Sequence, residues 1–179
     1  MFRDSLRLLG SAALLLMACG GDTTPLDDAP PTTVGQSILT SAVYKVVAED
    51  EGGGFRPAPP MGSTCLPNAA RYTLSFSTRQ LDWTRCVGDN VTPYKQVPGS
   101  RTLTDAETAT IRSAVAAIKV VKDDGGCIAD ATFLTLTLTT ASKEQKYLDQ
   151  PNYCNRPGST LLPRADIQGL LDKFNALAK

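Results

Sequence analysis

The residues of this chain that could do chemistry are its cysteines and its carboxylates, because it contains no histidine. Without histidine, Ser-His-Asp and Cys-His catalysis and the common zinc sites are excluded. The sequence also lacks GxSxG, SxxK, Walker A and GxGxxG motifs, and it has no CxxC pair. We therefore predict no cofactor and no metal, and any catalysis would depend on Asp and Glu side chains.

Five acidic residues are candidates for a carboxylate-dependent hydrolase: Asp82, Glu107, Asp123, Asp124 and Asp149. Such an enzyme needs two carboxyl groups about 5 to 10 Å apart across a cleft. Nothing in the spacing of these residues pairs any of them, so solvated surface acids are the simpler interpretation. The acids of residues 48–54 lack the twelve-residue ligand pattern of a calcium loop and are interpreted as an exposed turn.

Four of the five cysteines, Cys65, Cys86, Cys127 and Cys154, follow the first 37 residues. An even number of cysteines in an exported chain indicates two disulfides, with three connectivities to choose from. A structural role for them is preferred over a redox or metal-binding set, because neither CxxC nor histidine is present.

Two stretches between the cysteines predict β-hairpins. Residues 71–87 alternate apolar and polar side chains, and the phase of the alternation changes near residues 78–80, which indicates a turn. Residues 131–150 repeat the pattern, with a polar turn at residues 141–143. Because the two ends of a hairpin lie side by side, the flanking cysteines predict the bonds Cys65–Cys86 and Cys127–Cys154.

A helix is predicted after each hairpin. Residues 104–121 open with Thr104 and Glu107, the two positions of a capping box. Residues 163–179 carry a wide apolar stripe at helical spacing. With a leading strand over residues 42–49, the predicted fold class is α+β: an antiparallel sheet of about five strands with two helices packed on one face, built as two disulfide-closed hairpin-helix units.

The fifth cysteine ends an apolar run near the start of the chain. Arg3 and Arg7 precede residues 8–17, a stretch too short to cross a bilayer but suited to a signal peptide. Leu16-Met17-Ala18-Cys19 resembles the lipobox of bacterial lipoproteins. The resemblance implies that residues 1–18 are a signal peptide and that Cys19 carries several acyl chains, enough for a stable membrane anchor. Gly20, in place of Asp, implies the outer membrane of a Gram-negative cell envelope.

The stretch that follows Cys19 predicts a tether. Residues 19–37 are polar and rich in Pro, Thr and Asp, so they cannot bury a core and should be disordered. Residues 38–179 then form a single globular domain. Removing Arg3, Arg7 and Asp4 with the signal peptide leaves a net charge of about −1. That balance does not favour nucleic acid as a partner.

Three aromatic residues are candidate binding anchors: Trp83, Tyr94 and Tyr153. Trp83 shares the parity of Leu81 and is predicted to face the core. The two tyrosines lie in predicted loops, where packing against the loop backbone is the more common outcome.

The absence of catalytic motifs favours a non-enzymatic, membrane-tethered envelope lipoprotein, a binding or assembly module with another envelope protein as its partner. The alternative is a protein inhibitor of an exported hydrolase, because the layout is similar to that of some secreted inhibitors, including β-lactamase inhibitory protein. In that case residues 51–63 would have to be the inhibitory loop, and a rigid, protruding, apolar loop would favour it. A carboxylate-dependent glycan hydrolase is the third hypothesis.

Overall fold

The computed structural model describes residues 32–52, 58–122, 132–149 and 161–179. Within these residues, one seven-stranded sheet and two α-helices make an α+β fold. The elements in chain order are β1 (Lys45–Asp50), β2 (Ala70–Ser75), β3 (Gln80–Val87), β4 (Lys95–Thr102), α1 (Asp105–Ala117), β5 (Leu134–Thr139), β6 (Glu144–Asp149), β7 (Leu161–Leu162) and α2 (Arg164–Leu177).

The strand order in the sheet is β4-β3-β2-β1-β5-β6-β7. All neighbouring strands are antiparallel except β6 and β7, which are parallel. The leading strand β1 lies at the centre, between the two predicted hairpins β2–β3 and β5–β6. The prediction of an antiparallel sheet of about five strands is therefore wrong in two respects, since the sheet is mixed and has seven strands.

The two strands that sequence reasoning missed have little local signal. β4 carries Pro98 and Gly99 and does not alternate, which is tolerated because β4 is an edge strand of the described sheet. β7 has only two residues and pairs with β6 in parallel, so its position depends on tertiary contacts.

The predicted hairpins and helices are confirmed. Four residues, 76–79, separate β2 from β3, and residues 140–143 separate β5 from β6. Helix α1 begins with the predicted capping box between Thr104 and Glu107. It ends before residue 121, because residues 119–121 instead form extended bridges with Ser37 and Leu161.

One face of the sheet carries the core. Strand residues of a single parity are buried there: Val46, Ala48, Tyr72, Leu74, Leu81, Trp83, Leu134, Leu136, Leu138 and Tyr147. The buried residues of both helices join the same cluster, including Val115 of α1 and Phe174 of α2, whose ring stacks on Tyr72. Trp83 is only 8% exposed, which confirms its predicted position on the core side.

The N-terminal segment of the described chain pairs with residues 118–120, which follow α1. The backbone N–H of Gly35 donates to the carbonyl of Val120 at 2.8 Å, and that of Ile38 donates to Ile118 at 3.2 Å. The hydrogen-bonded part of the domain thus begins at about Gly35, a few residues before Ile38, the first residue of the predicted domain. Among the residues that the structure describes, no helix is long and apolar enough to span a membrane.

Candidate functional site: a paired-loop surface at one end of the sheet

Two loops meet at the end of the sheet where β3 finishes and β2 and β4 begin. The first loop, residues 58–69, contains Cys65, and the second, residues 87–94, begins with Val87, the last residue of β3. The Cys65–Cys86 disulfide joins the first loop to the end of β3, as the hairpin argument predicted. We call the two loops together the paired-loop surface. The second predicted disulfide, Cys127–Cys154, lies outside the described residues.

Hydrogen bonds between the loops add to the disulfide. The Ser63 hydroxyl accepts from the backbone N–H of Tyr94 at 2.9 Å, and the N–H of Thr64 donates to the carbonyl of Tyr94 at 2.8 Å. The ammonium of Lys95 donates to the carbonyl of Gly62 at 2.6 Å. These contacts hold the first loop against the second loop and the start of β4.

The first loop presents a methionine on a tight turn. The N–H of Ser63 donates to the carbonyl of Pro60 at 3.1 Å, which closes a four-residue turn. Gly62 has a φ of 86°, the left-handed conformation that a type II turn requires at its third position. Met61, at the second position, is 98% exposed. The backbone beneath this side chain is therefore fixed, while the side chain itself is free to contact a partner.

The second loop is held by its own acid and by its tyrosine. The Asp89 carboxylate accepts from the N–H groups of Thr92 at 2.6 Å and Val91 at 2.7 Å, and these bonds lower the pKa of Asp89. The Tyr94 ring packs on Gly88, where a Cβ would come within 2.8 Å of it. Tyr94 therefore packs against loop backbone, the outcome expected of most loop tyrosines, and it stabilises the surface rather than protruding from it.

The paired-loop surface is apolar and almost free of charge. Its exposed large side chains are Met61, Leu66, Val87 and Val91, and Val97 of the adjoining strand β4 is exposed as well. Residues 58–69 contain no charged side chain, and residues 87–94 contain only Asp89, whose carboxylate is already hydrogen-bonded. This combination distinguishes the surface from an ordinary solvated loop.

The three described acid candidates lie on three different elements. Asp82 of β3 is on the face of the sheet opposite the core and accepts from the Ser100 hydroxyl at 2.7 Å. Glu107 of α1 accepts from the N–H of Thr104 at 2.8 Å and binds Arg101, and these bonds lower its pKa. Each carboxylate therefore has a structural role. Asp123, Asp124 and Tyr153 lie outside the described residues.

The third candidate, Asp149, belongs to a buried cluster that sequence reasoning missed. Asp149 is fully buried and forms an ion pair with Arg164, whose guanidinium also donates to the carbonyl of Thr132 at 2.7 Å. Asp50 hydrogen-bonds Thr132 and accepts from the N–H of Gly52 at 2.8 Å, and the charge of the same guanidinium acts on its carboxyl group. Burial raises the pKa of Asp50.

The strand register explains the position of this cluster. Asp50 pairs with Leu134 in the sheet, and the N–H of Leu134 donates to the Asp149 carboxylate at 3.3 Å. The only local signal was an acidic residue, Asp50 in β1 and Asp149 in β6, at a strand position where an apolar residue is expected. That signal does not identify Arg164 as the partner. Because its hydrogen bonds hold Arg164, the first residue of α2, against β6 and Thr132, we interpret the cluster as structural.

A cleft of about 400 Å³ lies between the first loop and the sheet face opposite the core. Its lining includes Glu49, Glu51, Arg71 and the Cys65–Cys86 disulfide, and the guanidinium of Arg71 is 3.0 Å from the Glu49 carboxylate. Glu49 and Asp50 belong to β1, so they are not part of the exposed turn predicted for residues 48–54. Within the described part of the chain, no three His, Cys, Asp or Glu side chains are placed to hold a metal ion.

Comparison with known proteins adds no family to this description. No family model matches the chain, and neither the curated proteins nor the solved structures contain a significant match. The function is therefore inferred from the chain's own residues, and the paired-loop surface is the feature that most departs from an ordinary solvated exterior.

Proposed function

We propose that this chain is a non-enzymatic, membrane-tethered lipoprotein of the cell envelope whose domain binds another protein through the paired-loop surface. The observation that carries the proposal is the exposure of four large apolar side chains on two hydrogen-bonded loops whose described residues include one charged side chain, Asp89. Exposed apolar patches on soluble domains commonly mark binding sites. A surface that is already rigid loses little conformational entropy on binding, which favours affinity.

The lipobox supports the membrane tether, and labelling tests it. We expect cells that express the full chain to incorporate labelled palmitate into it, and we expect the protein to sediment with membranes. The variant Cys19→Ala, which lacks the thiol, should do neither. Labelled variant protein, or unlabelled wild-type protein in the soluble fraction, would contradict the tether.

Matched substitutions test the binding surface. Met61→Asp and Val91→Asp each place a charge on the paired-loop surface, whereas Val34→Asp places one on an exposed valine of the N-terminal segment. After chemical cross-linking of intact cells, we expect the first two variants to lose a discrete adduct that wild type and Val34→Asp retain. Burying an unpaired carboxylate in an apolar interface costs several kcal/mol, enough to reduce affinity by at least about 100-fold.

Circular dichroism and thermal unfolding of all three variants check that the fold is intact. Because the three side chains are exposed, we expect their stabilities to lie within about 0.5 kcal/mol of wild type. An adduct that survives both paired-loop substitutions would place the binding site elsewhere on the domain.

A second candidate function, inhibition of an exported hydrolase, is favoured by one specific observation. Met61 lies within residues 51–63, the stretch from which an inhibitory loop was predicted, and it stands on a closed turn. Titration of purified chain into exported hydrolases, beginning with a β-lactamase, tests this alternative. Stoichiometric inhibition that Met61→Asp abolishes would establish it, and binding without inhibition would favour the general binding module.

A further inference from the structure

One exposed side chain of the paired-loop surface can be changed chemically by a mild oxidant. Three of its four exposed large apolar side chains, Leu66, Val87 and Val91, are aliphatic, and such oxidants leave them unchanged. Met61 carries a thioether, which is readily oxidised to a sulfoxide. Because Met61 is 98% exposed, its sulfur is open to a reagent from solvent.

Met61 would be the only methionine of the mature chain. The sequence contains three methionines, and the other two, Met1 and Met17, lie in the predicted signal peptide. The cysteines beside the surface, Cys65 and Cys86, share a disulfide and so have no free thiol to compete for the oxidant. An oxidant that reaches this surface therefore acts at residue 61.

The turn beneath Met61 does not depend on the methionine side chain. The N–H and the hydroxyl of Ser63 both donate to the carbonyl of Pro60, at 3.1 and 2.7 Å. The turn lies beside the second loop, since a Cβ at Gly62 would be 3.9 Å from the Pro93 ring. Oxidation of Met61 should therefore leave the fold and the loop contacts as they are, and change only the chemistry of the exposed surface.

We propose that Met61 is a reversible oxidation site that switches the paired-loop surface between a binding form, the thioether, and a non-binding form, the sulfoxide. The effect on binding deepens the proposed function and rests on it, whereas the oxidation itself depends only on the exposure of Met61. An envelope chain lies outside the reducing cytoplasm, where such a site would meet oxidants.

Hydrogen peroxide is the class of oxidant that the site would take. The sulfur lone pair attacks one peroxide oxygen, the O–O bond breaks, and the released hydroxide takes the proton of the new S–OH group and leaves as water. The sulfur loses two electrons and the peroxide gains them. A methionine sulfoxide reductase reverses the change with two thiols, which become a disulfide while the sulfoxide oxygen leaves as water.

The sulfoxide changes how residue 61 can be buried. The thioether side chain is unbranched and polarizable, so it fits an apolar pocket of a partner. The sulfoxide carries a polar oxygen, and burying a polar group without a hydrogen-bond partner is unfavourable. We expect affinity to fall by about 10-fold or more, with no change in the charge of the surface.

Peroxide treatment of the purified full chain, followed by removal of the oxidant, tests the inference. We expect the mass to rise by one oxygen atom at residue 61 and the melting temperature to stay unchanged. The treated chain is then cross-linked to membranes of cells that lack it, so the partner never meets the oxidant. The yield of the discrete adduct should fall about 10-fold relative to untreated chain.

Two variants are matched to this experiment. Met61→Gln places a polar oxygen on an unbranched side chain, and it should show the low adduct yield without any oxidant. The double variant Met61→Leu, Val34→Met moves the oxidisable sulfur to an exposed position outside the surface. Its adduct yield after peroxide, relative to its own untreated sample, should stay near one.

The outcomes separate this inference from the proposed function. An unchanged adduct yield after complete oxidation of Met61 would overturn the switch and leave the proposed binding surface standing. The same fall in the double variant would overturn it as well, because the position of the sulfoxide would not matter. If untreated chain forms no adduct, the proposed function fails and the switch fails with it.

Discussion

The Arg164 guanidinium forms an ion pair with Asp149, a fully buried carboxylate of β6. Removal of one partner of a buried pair leaves an uncompensated charge, which typically costs about 3 to 5 kcal/mol. We expect Arg164→Met, which keeps the apolar stem, to lower the free energy of unfolding by about 3 kcal/mol. Urea denaturation measures this loss.

Arg71→Met is the matched control, because Arg71 pairs with Glu49 at an exposed position. An exposed pair contributes about 0 to 1 kcal/mol, so this variant should remain close to wild type. Equal losses in the two variants would show that burial does not determine the strength of the Arg164 pair.

The raised pKa of Asp50 predicts a substitution that increases the free energy of unfolding, whereas Arg164→Met should lower it. Burial is its largest cause, and Asp149 also raises it, whereas Gly52, Thr132 and Arg164 lower it. A raised carboxyl pKa contributes stability that is fully present below the pKa of the unfolded chain and is lost as pH rises through the folded pKa. We expect Asp50→Asn to increase the free energy of unfolding near pH 7 by less than about 1 kcal/mol, and not to increase it near pH 3.

Asp89→Asn is the control for this pH dependence. Hydrogen bonds lower the pKa of Asp89, so its contribution is present above the unfolded pKa and is lost as pH falls. This variant should therefore be less stable than wild type near pH 7 and equal to it in acid. Urea denaturation near pH 3 and near pH 7 measures the stability of both variants relative to wild type. A change of the same sign near pH 7 in Asp50→Asn and Asp89→Asn would contradict the opposite pKa shifts of the two carboxyl groups.

At the same scale, two glycines of the chain should respond oppositely to alanine. A Cβ at Gly99 would overlap the indole of Trp83, whereas one at Gly169 meets no atom within 4 Å. Overpacking costs about 1 to 3 kcal/mol, and replacing a helical glycine by alanine where there is room for the methyl group gains up to about 1 kcal/mol. We expect Gly99→Ala to lower the melting temperature and Gly169→Ala to raise it in thermal unfolding.

At the scale of elements, the Cys65–Cys86 bond joins the first loop to the end of β3. Its cysteines are separated by 21 positions in the sequence, and the chain-entropy relation gives about 3 kcal/mol for a loop of that length. We expect the double variant Cys65→Ala, Cys86→Ala to lose up to this amount in chemical denaturation. It should also weaken the cross-linked adduct, because the first loop would no longer be bonded to the end of β3.

The elements with strong local patterns could be predicted from the sequence. Alternation and a change of phase define β2–β3 and β5–β6, and the capping box defines the start of α1. β4 could not be predicted, because Pro98 and Gly99 have low strand propensity and their pairing with β3 is tertiary. β7 and the bridges at residues 119–121 depend on neighbours distant in the chain.

At the scale of the whole molecule, the candidate site was only half predictable. The sequence identified residues 51–63 as a loop rich in Gly and Pro, and the hairpin argument paired Cys65 with Cys86. It placed Tyr94 in a loop but did not predict that residues 87–94 pack on the first loop, since that depends on hydrogen bonds to the Tyr94 backbone. Nor could it bring the two loops together at one end of the sheet, because that depends on the pairing of β3 with β2 and β4.

The contact of Trp83 with Gly99 has a practical consequence. The chain contains a single tryptophan, and its indole lies under the edge strand whose first residue, Lys95, binds the first loop. Tryptophan fluorescence of this protein therefore reports on the surroundings of Trp83 alone. Its emission monitors the β3–β4 edge, beside the surface where we propose that a partner docks, and needs no added dye.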